Sequence, residues 1–197
     1  MKTRSALTWM LVSVAMVFAY WYTGTLRVEH ERKVFEAKRI FDFEGEQVIR
    51  LSITTQGNAT VEAKRVGENE WVLDEPFAHV IPNHALWTQL ANNVPYIINE
   101  RSIEASTDDL SLYALDDPPL SIVIETSRNE LIQLDVGNLD PTRNNHYARL
   151  ASGELFLLPS QMAKALYRSL DDLRDKQVFH ELDYTVDRVR YSRLPVD

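Results

Sequence analysis

The sequence of 197 residues contains no cysteine. Disulfides, thiolate-built zinc sites, iron–sulfur clusters and thiol nucleophiles are therefore excluded. No cysteine is present to carry a lipid either. Glycine is scarce, at six residues, and nowhere clusters into a loop that could cradle a phosphate, so nucleotide binding has no support. Basic charge is in deficit. The formal net charge is −8, and setting Lys2 and Arg4 aside leaves 19 basic against 29 acidic residues, a balance of −10. Binding to nucleic acid depends on neutralising phosphates with Lys and Arg, and this balance argues against it. It gives no support for adsorption to anionic lipid.

Charge of either sign is also missing between Arg4 and Arg27. Residues 1–26 read as a signal-anchor transmembrane helix, with Leu7, Leu11, Val14, Phe18 and Trp21 along its apolar run. At ~1.5 Å per residue, roughly 20 residues cover the hydrocarbon layer. Leu7, Leu11, Val12, Val14, Val17 and Phe18 contribute about 0.3–0.6 kcal/mol each toward insertion, and no buried charge opposes them. Lys2 and Arg4 hold the N-terminus in the cytoplasm by the positive-inside rule, and Tyr20-Trp21-Tyr22 suit the outer interface. Val17-Phe18-Ala19 matches a signal-peptide cleavage site, but the bulky aromatics directly after it favour retention. The expected address is a bacterial inner (cytoplasmic) membrane, single-pass, with the rest of the chain on the periplasmic side.

Residues 27–44 read as a charged stalk, rich in helix formers with opposite charges three and four apart. A plain solvated linker is the other reading. Residues 45–197 read as one α+β domain, mostly antiparallel sheet, built from two strand-meander-plus-helix units that form a weak internal repeat. Ile49, Leu51 and Ile53 alternate with polar residues, and so do Leu120, Ile122 and Ile124, then Ile132, Leu134 and Val136. Ile97 to Ala105 reads as a further strand, and Ser152-Gly153 as a hairpin turn. Pro82 opens a helix carrying Leu86, Trp87, Leu90, Ala91 and Val94, which Pro95 ends. Ser160 is expected to cap a second helix with Ala163, Leu166, Tyr167, Leu170 and Leu173 on one stripe. Val186, Arg188 and Arg190 begin a last strand, and an unpaired edge there would invite a homo-oligomer or strand addition.

No catalytic, cofactor-binding or metal-ligating set emerges. His79 and His84 are five apart with Pro82 between them, not the i, i+4 pair of zinc enzymes. Asp108-Asp109, Asp116-Asp117 and Asp171-Asp172 are neighbours in sequence, whereas acid–base chemistry needs carboxylates converging across a cleft. Ser160 lacks a lysine three residues on, where Ala163 stands. Arg149, Arg174 and Asp175 are candidates for a structural ion-pair network between hairpin and helix. A helix end with Arg174 paired locally and Lys176 on the C-terminal dipole is the alternative.

Several motifs carry a resemblance. They are Lys38-Arg39-Ile40-Phe41-Asp42-Phe43 before Val48-Ile49-Arg50-Leu51-Ser52-Ile53, and Trp71-Val72-Leu73 before Glu75-Pro76. Then come Leu112-Tyr113-Ala114-Leu115-Asp116-Asp117-Pro118, Gly137, Tyr147-Ala148-Arg149, Leu155-Phe156-Leu157-Leu158 and Leu173-Arg174-Asp175-Lys176. In that order and spacing, over roughly residues 38 to 192, the chain resembles the bacterial domain-of-unknown-function family numbered four-three-four-zero. The resemblance implies an N-terminal anchor helix and a setting near ABC transporters of the gliding-motility type. It implies no activity and no catalytic residues. The family often has glycine where Ala114 stands, so a different local turn is expected here.

These readings lead to a non-enzymatic, membrane-anchored envelope protein without a cofactor, an accessory or scaffold subunit for a protein partner such as a transporter complex. The alternatives are a binding module for a small molecule, glycan or peptide, and a hydrolase using Asp116, Asp117 and His146.

Overall fold

The computed structural model describes residues 32–104 and 107–177 together with residues 13, 16, 18, 20–22 and 29; for residues 107–109 it describes the backbone. Leu7, Leu11 and Val14 of the expected anchor, and the strand expected from Val186, lie outside the described residues. Among the described residues no helix is long and apolar enough to cross a membrane.

Period-two alternation does most of the building. β1 (Val48–Thr55), β2 (Val61–Arg65) and β3 (Trp71–Leu73) form one antiparallel meander. β5 (Leu120–Thr126), β6 (Leu131–Leu139), β7 (Asn145–Leu150) and β8 (Leu155–Pro159) form another. β4 (Arg101–Ser102) pairs with β8. The meanders join through their first strands, giving one antiparallel eight-stranded sheet in the order β3-β2-β1-β5-β6-β7-β8-β4. The architecture is α+β with a mostly antiparallel sheet, as the alternation predicts.

Register follows from which residues must leave water. Ala63, Leu51, Ile124 and Ile132 stand opposite one another across four strands, and Ile53, Ile122 and Leu134 across three. These residues share one face, and that face carries the core. α1 (His84–Asn93), a 3-10 turn (Val94–Tyr96), α2 (Ser160–Leu166) and α3 (Leu170–Leu173) supply the rest of the core, with Phe41 and Phe43. Trp87 of α1 is fully buried and meets Trp71 at 6.0 Å between ring centroids, while the Trp71 indole N–H donates to Thr88 Oγ1 (3.0 Å). Burying one such apolar side chain is worth about 1.5–3 kcal/mol.

Three helix and strand expectations change. The Ile97–Ala105 strand shrinks to Arg101–Ser102, because Ile97 and Asn99 pair with Ile40 and Lys38 before the chain turns to β8. The expected second helix is two helices. α2 ends at Leu166, and α3 restarts behind its own Ser169–Asp172 capping box. Ser160 does not cap. The strand runs straight through Pro159 into the helix, and the buried Ser160 Oγ makes no hydrogen bond.

The opposite face of the sheet carries a second layer, a strap of 3-10 helix (Thr107–Tyr113) running into Leu115. Tyr113 lies against Tyr147 of β7, ring centroids 4.4 Å apart, and Leu115 is buried. Gly137 on β6 makes this approach sterically feasible, since a β-carbon there would collide with the Tyr113 carbonyl oxygen. Ala114 adopts φ +53°, so the turn keeps the left-handed conformation without glycine. Alanine there costs about 1–2 kcal/mol, against about 0.5–1 kcal/mol for the extra chain entropy of glycine. Ala114→Gly should therefore stabilise by about 0.5–1 kcal/mol. Gly137→Ala should destabilise by about 1–3 kcal/mol through overpacking. Urea unfolding midpoints of the two variants check both signs.

Candidate functional site

The strapped face gathers the side chains with the most chemical character. Alternation puts Ser121, Asp135 and Arg149 on adjacent strands in one cross-strand row, opposite the core. Asp135 is a buried carboxylate, 3 % exposed. Its Oδ1 accepts from Ser121 Oγ (2.7 Å) and Gln133 Nε2 (3.0 Å), and its Oδ2 accepts from Arg149 Nη2 (3.1 Å). Tyr147 and Gly137 lie two residues along from Arg149 and Asp135, so the polar row and the strap contact adjoin. Chemically this is a clamp. Each carboxylate oxygen of Asp135 is engaged, its charge is balanced by a guanidinium, and Ser121 has a carboxylate beside it instead of an imidazole base.

A second acidic centre shapes the β6–β7 connection. Asp140 Oδ1 accepts from the backbone N–H groups of Asn144 (3.1 Å) and Asn145 (3.2 Å), and Oδ2 accepts from Thr142 Oγ1 (2.7 Å). The Thr142 hydroxyl, with the Asn145 and Asn144 donors behind it, holds the Asp140 carboxyl below its ordinary value of 3.8. The outer face of β1 carries a third charged group. Arg50 bridges Glu62, Asp74 and Glu125 from three neighbouring segments.

Arg149 pairs with Asp135 on the sheet, whereas Arg174 pairs with Asp171 (2.7 Å), three residues back. The Asp175 N–H donates to the Ile81 carbonyl (2.7 Å), and its Oδ1 accepts from the Gln177 N–H. Arg149 and Arg174 thus sit in separate pairs, and Arg174 pairs locally. Lys176 reaches Asp171 as well (3.1 Å), and these two cations hold the Asp171 carboxyl low. His84 Nδ1 accepts from the Trp71 N–H (3.1 Å), and His146 Nδ1 donates to the Gly137 carbonyl (2.9 Å). Asp117 accepts from Gln56 (2.8 Å), just past the end of β1. Among the described residues no group of three or more His, Asp or Glu side chains converges to hold a metal ion. Phe18 and Trp21 are helical and exposed, with ring centroids 6.3 Å apart.

Among the described residues, concavities open on the helical side and at the stalk. One of 680 Å³ lies between the start of α1 (Asn83 to Leu86) and residues 168–177. One of 450 Å³ is lined by residues 37–40, residues 99–102 and Glu154. An apolar recess of 210 Å³ is lined by Tyr96, Ile97, Met162 and Leu166.

Sequence reasoning singled out Arg149, Gly137, Tyr113 and Tyr147 separately and missed Asp135 and Asp140. An acidic residue inside the apolar run Leu134-Asp135-Val136 was the available signal for the first. The tetrad Asp140-Pro141-Thr142-Arg143 was the signal for the second, since Asp and Thr so spaced close an Asx-type turn.

Arg149→Ala should cost about 2–3 kcal/mol, because it strands the buried Asp135 carboxylate. The double variant Arg149→Met with Asp135→Leu should recover most of that loss in thermal unfolding. Acid should also weaken the fold. The Asp140 carboxyl titrates lower folded than unfolded, so its contribution is complete above about pH 4 and lost as pH falls through the folded value. Asp140→Asn should flatten that limb of the stability-versus-pH curve.

A family model described as "Domain of unknown function (DUF4340)" matches residues 88–195, more than half of the chain. The match takes in the strap, Gly137, Tyr147 to Arg149 and Leu173 to Lys176, while β1 to β3 precede it. No curated protein and no solved structure matched the chain. Because the match covers more than half of its length, the chain belongs to the DUF4340 family of domains of unknown function.

Proposed function

We propose that this protein is a single-pass, membrane-anchored component of the bacterial envelope whose α+β domain binds another protein. It would act as an accessory or scaffold subunit, with a transporter complex as the favoured partner. The observation that carries this reading is a run of large exposed side chains, one methionine and four aromatics. Met16, Phe18, Tyr20, Trp21 and Tyr22 are helical and exposed, from 53 % for Tyr22 to 83 % for Tyr20. At about 100° per residue these five side chains spread over roughly 240° of the helix circumference. A helix apolar over most of its circumference is stable only inside protein or lipid. Lys2 and Arg4 ahead of it favour a cytoplasmic N-terminus, which puts the domain in the periplasm.

The domain's own features support partner binding. The chain lies against part of each sheet edge. The Trp71 N–H on the β3 edge is taken by His84, and residues 38–40 lie along residues 97–99 just ahead of β4. The faces of the sheet and its helices offer the broader surface for a partner. The two meanders with their helices fit a duplicated strand-and-helix unit. One observation favours the alternative of a small-ligand module, namely the 210 Å³ apolar recess with Tyr96 at its mouth.

The test is alkaline carbonate extraction of cell membranes, followed by cross-linking in intact cells and mass spectrometry. The full chain should stay in the membrane pellet and cross-link to a stoichiometric protein partner. Release of the intact chain into the soluble fraction, or recovery of the chain alone, would overturn the proposal.

A further inference from the structure

The sequence left the stalk as either a helix or a solvated linker. Residues 32–38 are helical and lead without a break into the pairing of Arg39 with Ile98. Two salt bridges at i, i+4 spacing lie along the stalk, Lys33 with Glu29 (3.2 Å) and Arg32 with Glu36 (3.4 Å). No glycine or proline occurs from Glu29 to Phe43, so no residue there supplies a ready hinge.

The join to the domain is dense. The Asn99 N–H donates to the Lys38 carbonyl (2.9 Å), and the Ile40 N–H donates to the Ile97 carbonyl (3.2 Å). Lys38 Nζ meets Glu100 Oε1 at 2.7 Å. Arg39 is gripped three ways. Its Nε donates to the Pro95 carbonyl (3.0 Å), its Nη2 donates to the Phe43 carbonyl (3.4 Å), and its guanidinium lies over the Tyr96 ring at 5.2 Å. Tyr96 and Ile97 in turn line the recess shared with Met162 and Leu166 of α2. Phe41 and Phe43, immediately after the joint, are core residues with ring centroids 5.4 Å apart.

We infer that the stalk is a rigid arm and not a tether: Lys38, Arg39 and the Phe41–Phe43 pair clamp it to the end of α1, so that stalk and domain move as one body. A tether would let the domain sample every orientation around its attachment point. A clamped arm holds the sheet and α1 at a fixed angle to the helix of residues 32–38. The inference concerns residues 32–43 and 93–102 and stands whatever surrounds the N-terminal helix.

The absence of native cysteine makes the test direct. Spin labels on the full chain at Val34→Cys and Leu131→Cys, both at exposed positions, report the stalk-to-sheet distance by pulsed dipolar spectroscopy. The expected result is one narrow distance distribution. It should broaden at least two-fold when Gly-Gly-Ser is inserted between Glu36 and Ala37, a hinge that leaves the joint's own residues in place. Lys38→Ala with Arg39→Ala should broaden it too, with domain unfolding monitored in parallel. A distribution in the unaltered stalk as wide as that of the inserted hinge would overturn the inference, whether or not the double variant folds.

Discussion

The pairing of β1 with β5 is the constraint on which the rest depends. Each meander is local, with strands joined by short turns, and could form from neighbouring sequence alone. β1 and β5 are joined across more than sixty residues of intervening chain, and their ladder runs from Val48↔Thr126 to Thr55↔Leu120 with a single bulge near Val48. The alternation of the two strands fixes this register, because a shift by one residue would turn either Leu51 and Ile53 or Ile122 and Ile124 out of the core. Once it is set, α1 and α2 have a continuous apolar floor, and the opposite face has the width to seat the strap. A family match that begins at residue 88 therefore describes a stretch whose central strand has its other neighbour in the preceding segment.

Polar chemistry in this protein is spent on fixing geometry. Asp135 ties three strands beneath the strap, Asp140 closes the β6–β7 turn, Arg50 links three segments, and Ser169 with Asp172 restarts the last helix. Buried carboxylates of this kind add less to net stability than to the uniqueness of the arrangement, because their pairing mainly offsets the cost of desolvation. The same economy appears at the boundaries. The sheet's short β3 edge meets His84, and the stalk lies along the chain just ahead of β4, which limits edge-to-edge association. Among the described residues, recesses also open on the helical side and beside the stalk.

The sheet was legible because its signal is periodic. Leu51 and Ile53, Ile122 and Ile124, and Leu134 and Val136 alternate cleanly, and each strand so marked is present. Trp87 and Leu90 likewise announced α1 at helical spacing. Expectations failed where a tertiary contact outweighed a local preference. Ile97 to Asn99 has strand-like residues but is drawn to the stalk, so β4 begins later. The stripe from Ala163 to Leu173 has helical spacing, yet the chain breaks at Tyr167, whose hydroxyl donates to the Pro119 carbonyl 48 residues away. The strap carries no periodicity that would mark it, and Ala114 at positive φ conceals a turn that glycine would have revealed. At the site, Arg149 was visible as a charge on a strand, but its partner Asp135 was not, since sequence does not show which residues stand opposite across β6 and β7.

Native-state hydrogen exchange on β1 and β5 tests the central pairing most directly. The account predicts that amides of Leu51, Ile53, Ile122 and Ile124 exchange only through global unfolding, with one shared free energy and one shared denaturant dependence. Exchange of the β1 to β3 amides at a distinctly lower free energy than those of β5 to β8 would contradict it, by showing that the two meanders open independently.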